Sequence, residues 1–210
     1  MIIRLSLTIL HILRSFMSCS FEYTLSGRQA NLYGLLISIP ALFVAGIPFL
    51  IIWCDIGSGW PDILIPVIER NRIVIQQAID NKWWLLLLIF VGILLHEAIH
   101  GVFMAAFAKN GWKSVSFGFN IKAVAPYAHC KEPLHPNAYR LCLVMPGFLL
   151  GDIPVLIGWF TGNILFLFFG ILFWWAAAGD LMILWMSRKI TGGMLQDHPD
   201  KIGFVHVEEI

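Results

Sequence analysis

Four stretches of the sequence are each long and apolar enough to cross a lipid bilayer as an α-helix. They run from Asn31 to Trp53, from Trp83 to Ala108, from Leu141 to Phe160 and from Ile164 to Met186. A hydrocarbon core about 30 Å thick requires about 20 helical residues. Hydrophobic residues make up 59% of the chain and charged residues only 13%, which is too little polar surface for a water-soluble domain. The sequence therefore predicts an integral membrane protein with about four transmembrane helices, surrounded by membrane lipid.

The distribution of basic residues predicts how these helices are oriented. Lysine and arginine occur before the first stretch, throughout residues 109–140 and after the fourth stretch, whereas residues 54–82 balance them with acidic residues. Because cytoplasmic loops carry the excess of basic residues, we expect both termini and residues 109–140 to be cytoplasmic. The expected location is the bacterial cytoplasmic membrane. The net charge of +1 argues against a nucleic-acid partner, and the sequence gives no indication of the oligomeric state.

The beginning of the chain differs from the rest. Residues 1–13, MIIRLSLTILHIL, have a basic residue and a short apolar stretch but no small-x-small cleavage site, so we do not expect a cleaved signal peptide. Met17 could equally be the true start. We predict that residues 1–25 are an N-terminal extension that is disordered or interfacial, and that residues 26–210 form a single membrane domain.

The second apolar stretch contains the motif HEAIH. His96 and His100 are four residues apart and therefore lie on the same face of a helix, where their imidazoles can bind one metal ion. Glu97 lies beside them and can reach a water molecule on that ion. Charged groups in the middle of a membrane cost about 2.5–3.5 kcal/mol each, and a divalent cation offsets that cost. The motif predicts a zinc site with Glu97 as the catalytic base.

A catalytic zinc site usually has a third protein ligand. The acidic and histidine candidates are Asp180, Asp152, His129, His135 and Glu132. His100 lies as far along its helix from Trp83 as Asp180 lies from Asn163, and both helices are expected to run toward the cytoplasm. The two side chains should therefore lie at a similar depth, which favours Asp180. Asp152 should lie nearer the depth of His96 and stays an alternative.

The segment between the second and third stretches has a different periodicity. Four apolar residues alternate there with small or polar ones, namely Val115, Phe117, Phe119 and Ile121. This period of two predicts a strand, and hence a short cytoplasmic β-hairpin or a re-entrant loop. Its edge could hold an extended peptide substrate, although a hairpin that only closes the bundle fits equally well. Residues that could orient the zinc ligands through hydrogen bonds, without binding the ion themselves, are His129, Glu132 and Asp152.

Several motifs together resemble a known family. They are HEAIH at 96–100, PYAHCKEPL at 126–134 with MPG at 145–147, AGDLMILW at 178–185, and QDHPDKIGF at 196–204. On these motifs residues 83–210 resemble an uncharacterised family of zincin-type membrane peptidases, a domain of unknown function related in layout to the site-2 proteases. In site-2 proteases an aspartate from a later span is the third zinc ligand. The resemblance thus also implies Asp180.

These observations predict an all-α membrane bundle of about four helices, with the hairpin or loop between helices two and three. The expected function is hydrolysis of peptide bonds in a membrane or membrane-adjacent protein through a zinc-activated water. The alternative is a membrane metal-binding or transport protein that uses the same residues and cleaves nothing. Glu97 favours the enzyme, because a transporter has no need of a carboxylate directly after the first histidine.

Overall fold

The computed structural model describes residues 20–54, 64–121, 125–198 and 201–207, and these residues are mostly helical. The elements in chain order are β1 (Ser20–Leu25), α1 (Gly27–Trp53), α2 (Ile65–Asp80), α3 (Lys82–Phe107), β2 (Val115–Asn120), β3 (Ala125–Cys130), α4 (Pro136–Gly147), α5 (Ile153–Thr161), α6 (Ile164–Ala176), α7 (Ala178–Ser187), β4 (Met194–Asp197) and β5 (Ile202–Val207). A short 3-10 turn precedes β2, and a π turn, Phe148–Asp152, joins α4 to α5.

Within the described residues, three helical segments are long and apolar enough to cross a membrane. They are Leu32–Trp53, Lys82–Phe107 and Pro136–Thr161, the last of which comprises α4, the π turn and α5. A fourth segment qualifies if α6 and α7, which are bent by 48° relative to each other, count as one span. The four predicted stretches fall on these segments. The bend in the fourth was not predicted.

The exposure of the side chains on α3 separates a lipid-facing surface from a buried one. Leu86, Phe90 and Leu94 are 54%, 57% and 47% exposed. His96 and His100, on the same helix, are each only 6% exposed. In a bilayer the apolar side chains would lie against lipid, while the two histidines face the other helices.

The third segment changes its helical geometry at Pro146. Proline has no N–H and therefore cannot donate the hydrogen bond that continues an α-helix. The wider π turn follows directly, with Asp152 as its last residue. The indole N–H of Trp174 on α6 donates to the Asp152 carboxylate at 2.8 Å. This carboxylate therefore has a partner within the bundle.

Two antiparallel sheets flank the helices. β2 and β3 form the hairpin that the alternation of residues 115–121 predicted, with Val115 paired to Cys130 and Asn120 to Ala125. The second sheet has the strand order β1-β5-β4 and was not predicted, so the all-α class was incomplete. Its strands β1 and β5 come from opposite ends of the described chain, and a pairing over that distance leaves no local pattern.

Strand β1 contains the last residues of the predicted N-terminal extension. Residues 1–19 of that extension lie outside the described residues, while Ser20–Leu25 pair along their whole length with β5. The division of the chain at residue 26 stays a prediction.

The hairpin packs closely on α3 beside the second histidine of the motif. A Cβ atom on Gly101 would lie 2.3 Å from the ring of Phe117, so a larger residue at position 101 would displace that ring. A core cluster of buried residues joins the hairpin, α3, α4 and the C-terminal strands. Its members are Met104, Cys130, Leu134, Tyr139, Cys142, Leu143, Leu195 and Phe204.

Candidate metal centre and active-site cleft

Three side chains from two distant parts of the chain converge inside the helical bundle. The Asp180 Oδ2 atom lies 3.0 Å from His96 Nε2 and 3.3 Å from His100 Nε2. One ligand atom from each of the three residues lies within 4.8 Å of the other two. Among the described residues, these are the histidine, cysteine or acidic side chains whose arrangement could hold a metal ion. The structure thus brings together the three residues that the sequence singled out as ligands.

The Nδ1 atoms of the two histidines differ in their hydrogen bonding. His100 Nδ1 lies 2.9 Å from the backbone carbonyl of Cys142 on α4. A carbonyl can only accept, so Nδ1 carries a proton, which leaves Nε2 as the atom that would bind a metal ion. Zinc-binding histidines typically donate their other N–H to such a partner. His96 Nδ1 is buried and, within the described residues, has no hydrogen-bond partner.

The bend between α6 and α7 places the carboxylate. The α7 helix begins at Ala178, directly after the bend, and Asp180 lies in its first turn. The N-terminal end of a helix carries partial positive charge and stabilises a nearby carboxylate. Two imidazole nitrogens and one carboxylate oxygen are a ligand set that zinc accepts in catalytic sites, so the residues present fit this ion.

Glu97 lies between the cluster and the hairpin. Its Oε2 atom accepts a hydrogen bond of 2.7 Å from the backbone N–H of Ala128 on β3. Neighbouring residues of a strand point their backbone N–H and C=O groups to opposite edges. The Lys131 N–H donates to the Ser114 carbonyl on the β2 side, so the backbone groups of Ala128 and Cys130 point to the other edge of β3. Glu97 is therefore bound to the edge of β3 that β2 leaves free.

A cleft of about 700 Å³ opens between this edge, the metal cluster and the C-terminal strands. Glu97, His100 and Asp180 line one part of it, together with apolar side chains of α3, α4 and α7. Those apolar side chains are Met104, Leu143 and Ile183. The cleft thus combines a candidate metal site, a carboxylate and an apolar wall, as small-molecule and peptide sites commonly do.

Asp197 is a further residue of this cleft that the sequence analysis missed. Its Oδ1 atom accepts from the Tyr139 hydroxyl and its Oδ2 atom from the backbone N–H of Cys130, both at 2.8 Å. Burial raises the pKa of Asp197, although these two hydrogen bonds oppose the shift. The side chain lies at the end of a four-residue strand, within the motif QDHPDKIGF that contributed to the family resemblance, but no feature of the sequence assigned it to the site.

The three residues proposed to support the zinc ligands occupy different places. His129 lines the cleft, with its Nδ1 atom 3.9 Å from Asp197 Oδ2. Glu132 instead accepts hydrogen bonds from the side chain and the backbone N–H of Asn110, and the side-chain bond lowers the pKa of Glu132. Asp152 is bonded to Trp174 and is not a member of the metal-binding cluster.

Taken with the apolar helices, the buried cluster of two histidines and an aspartate defines a membrane protein with a candidate metal centre. Residues 89–193 match the model of a family described as "putative zincin peptidase". The match covers half of the chain, and the chain belongs to this family. It includes Glu97 and all three members of the cluster, whereas Asp197 lies beyond it. No curated protein and no solved structure matches the chain.

Proposed function

We propose that the protein is a membrane-embedded zinc metalloprotease that hydrolyses a peptide bond in a membrane or membrane-adjacent protein. The observation that carries the proposal is the convergence of His96, His100 and Asp180, of which His100 and Asp180 line a cleft that also contains Glu97. Membership of a zincin peptidase family supports it. Zinc would be held by the two Nε2 atoms and by the carboxylate, and when bound it would polarise the scissile carbonyl and lower the pKa of a nearby water.

Glu97 performs the proton transfers of the proposed reaction. Its carboxylate accepts a proton from the attacking water while the water oxygen forms a bond to the carbonyl carbon. The same carboxylate then delivers that proton to the amide nitrogen as the carbon–nitrogen bond breaks. One water is consumed, one carboxyl and one amino product are formed, and Glu97 returns to its initial state.

The free edge of β3 is the proposed binding surface for the substrate. The backbone carbonyls of Pro126 and Ala128 face this edge, whereas its N–H groups are not available, because Ala128 donates to Glu97, Cys130 donates to Asp197 and proline has none. An extended peptide whose own N–H groups donate to these carbonyls would run beside Glu97. Its apolar side chains could contact Met104, Leu143 and Ile183. The proposed substrate is thus an extended, largely apolar segment of a protein.

Zinc content and cleavage test the proposal together. The purified full-length protein should contain about one zinc per chain, as a three-ligand site implies, and His96→Ala should lose most of it. Membranes of cells that produce the wild type should contain new peptide termini in other proteins, and a zinc chelator should prevent their formation. Full zinc occupancy without any new termini would contradict the protease and support the metal-binding or transport alternative.

The proposed orientation has both termini and the β2–β3 hairpin in the cytoplasm, because basic residues are concentrated there. We expect a cysteine at Gln76, on exposed α2, to react with a membrane-impermeant maleimide added outside intact cells. A cysteine at Lys113, also exposed, should react only after the membrane is permeabilised. Both variants are made in a chain whose native cysteines are replaced by alanine. Equal labelling of the two positions in intact cells would refute this orientation.

A further inference from the structure

A second polar group lies in the cleft beside the residues already assigned. His129 on β3 and Asp197 on β4 both line the same cavity as Glu97, His100 and Asp180. Neither belongs to the metal-binding cluster. His129 directly follows Ala128, whose N–H binds Glu97, so the imidazole is attached to the strand that holds the catalytic carboxylate.

The Asp197 carboxylate is fixed by its surroundings. Tyr139, which is 1% exposed, donates its hydroxyl to one oxygen, and the Cys130 N–H donates to the other. The Asp197 side chain is only 14% exposed. Because both donors are held in the core, they fix the carboxylate in place, and its Oδ2 atom lies 3.9 Å from His129 Nδ1, which is close but longer than a hydrogen bond.

The other nitrogen of His129 is available to a ligand. The His129 side chain is 22% exposed, and none of the described residues forms a hydrogen bond with its Nε2 atom. An imidazole that carries a proton on Nε2 donates a hydrogen bond from that atom. His129 can thus supply a fixed donor at the wall of the cleft, where it can stabilise charge that develops on a substrate.

We propose that His129 is a catalytic residue that donates a hydrogen bond to the scissile carbonyl oxygen as negative charge develops there, and that Asp197 is its positioning residue. This inference rests on the proposed function and extends it. During the attack the carbonyl π electrons move to the oxygen, and the His129 N–H stabilises the resulting charge. They return when the carbon–nitrogen bond breaks, and His129 keeps its proton throughout.

The position of Asp197 gives the C-terminal hairpin a part in the reaction. β4 and β5 lie beyond the segment that matches the family model, yet they supply the carboxylate that orients His129. The bridge between Leu134 and Leu195, with backbone hydrogen bonds of 2.7 and 2.8 Å, fixes β4 next to the chain that follows β3. The hairpin is therefore held in register with His129.

The test compares variants of the full-length, zinc-loaded protein. His129→Ala should lower kcat by about 100- to 1,000-fold with little change in KM, because the lost hydrogen bond forms mainly in the transition state. His129→Gln, which keeps an N–H donor, should recover part of the loss. Asp197→Asn should lower kcat by roughly 10-fold, since it leaves His129 present but less well oriented. The matched control is His135→Gln: the structure places this exposed histidine outside both the metal-binding cluster and the cleft, at the N-terminus of α4, where it accepts a hydrogen bond from the Asn137 N–H that a glutamine oxygen can also accept, so the variant should behave as the wild type.

A second measurement does not depend on cleavage. A phosphinic pseudopeptide with apolar side chains carries an anionic group that resembles the transition state, and its affinity is measured by calorimetry. We expect His129→Ala to weaken its binding at least about 10-fold at unchanged zinc content, as the loss of one charge-assisted hydrogen bond implies. If the wild type binds the pseudopeptide and His129→Ala binds it equally well, this inference is overturned, while the proposed function is not. A zinc-loaded wild type that neither cleaves peptides nor binds the pseudopeptide would overturn the proposed function, and the role of His129 with it.

Discussion

Glu97→Gln is expected to retain a full complement of zinc and to lose nearly all peptide cleavage. Glu97 is not a member of the metal-binding cluster, and its Oε2 atom bonds to the backbone of Ala128 instead. Glutamine has almost the same shape and can still accept that hydrogen bond, but it cannot take a proton from water. General acid–base groups contribute about 100- to 10,000-fold, so we expect a loss of that size in kcat.

The measurement combines zinc analysis of the purified variant with the comparison of new peptide termini described above. Full zinc together with undiminished cleavage would show that Glu97 is not the base. Loss of zinc as well as cleavage would show that the carboxylate helps to hold the ion, which the distances within the cluster do not indicate.

The second large effect is expected for the third ligand. Asp180→Asn removes the charge of the carboxylate that lies 3.0 and 3.3 Å from the two Nε2 atoms. Removing a residue that only hydrogen-bonds to a zinc ligand already lowers the zinc affinity by about 10- to 100-fold. Removing the charge of the ligand itself should lower the zinc affinity further. We expect the variant to be purified largely without zinc and without activity. Competition with a chelator of known affinity measures the change.

Asp152→Asn is the matched control for that experiment. Asp152 is also a carboxylate within a membrane-spanning segment, but it accepts its hydrogen bond from Trp174, and an asparagine oxygen can accept the same bond. We therefore expect nearly normal zinc affinity in this variant. If Asp152→Asn lost its zinc and Asp180→Asn kept it, the third ligand would be Asp152, and the ion would lie between α3 and the π turn.

Much of the site could be predicted from the sequence because local geometry specifies it. Residues four apart on a helix share a face, so HEAIH places His96 and His100 together wherever the helix lies. The family resemblance, too, is carried by short motifs, and the family match confirms the zincin peptidase family, while the relation to the site-2 proteases stays a prediction. The favoured third ligand, Asp180, came from an argument about depth, and the structure places its carboxylate between the two imidazoles. Whether the three residues bind zinc stays a prediction.

Other parts of the site have no local sequence pattern. The proton on His100 Nδ1 is held by a backbone carbonyl at Cys142, and every residue has such a carbonyl. The partner of Glu97 is likewise a backbone N–H. Asp197 reaches the cleft only because β4 joins β5 and lies against the chain after β3. Contacts of this kind depend on which backbone segments meet, and that is decided by packing over long distances in the sequence.

Three features could be predicted from the sequence alone: the membrane-spanning segments, the strand at residue 115 and the helical face of the metal motif. Each of these follows from hydrophobic length or from periodicity, which are properties of neighbouring residues. Three others required the three-dimensional structure: the bend of the fourth span before Asp180, the second sheet that joins β1 to β5, and the position of Asp197 opposite His129. These arrangements lower the free energy through contacts between residues far apart in the chain, so no short segment of the sequence specifies them.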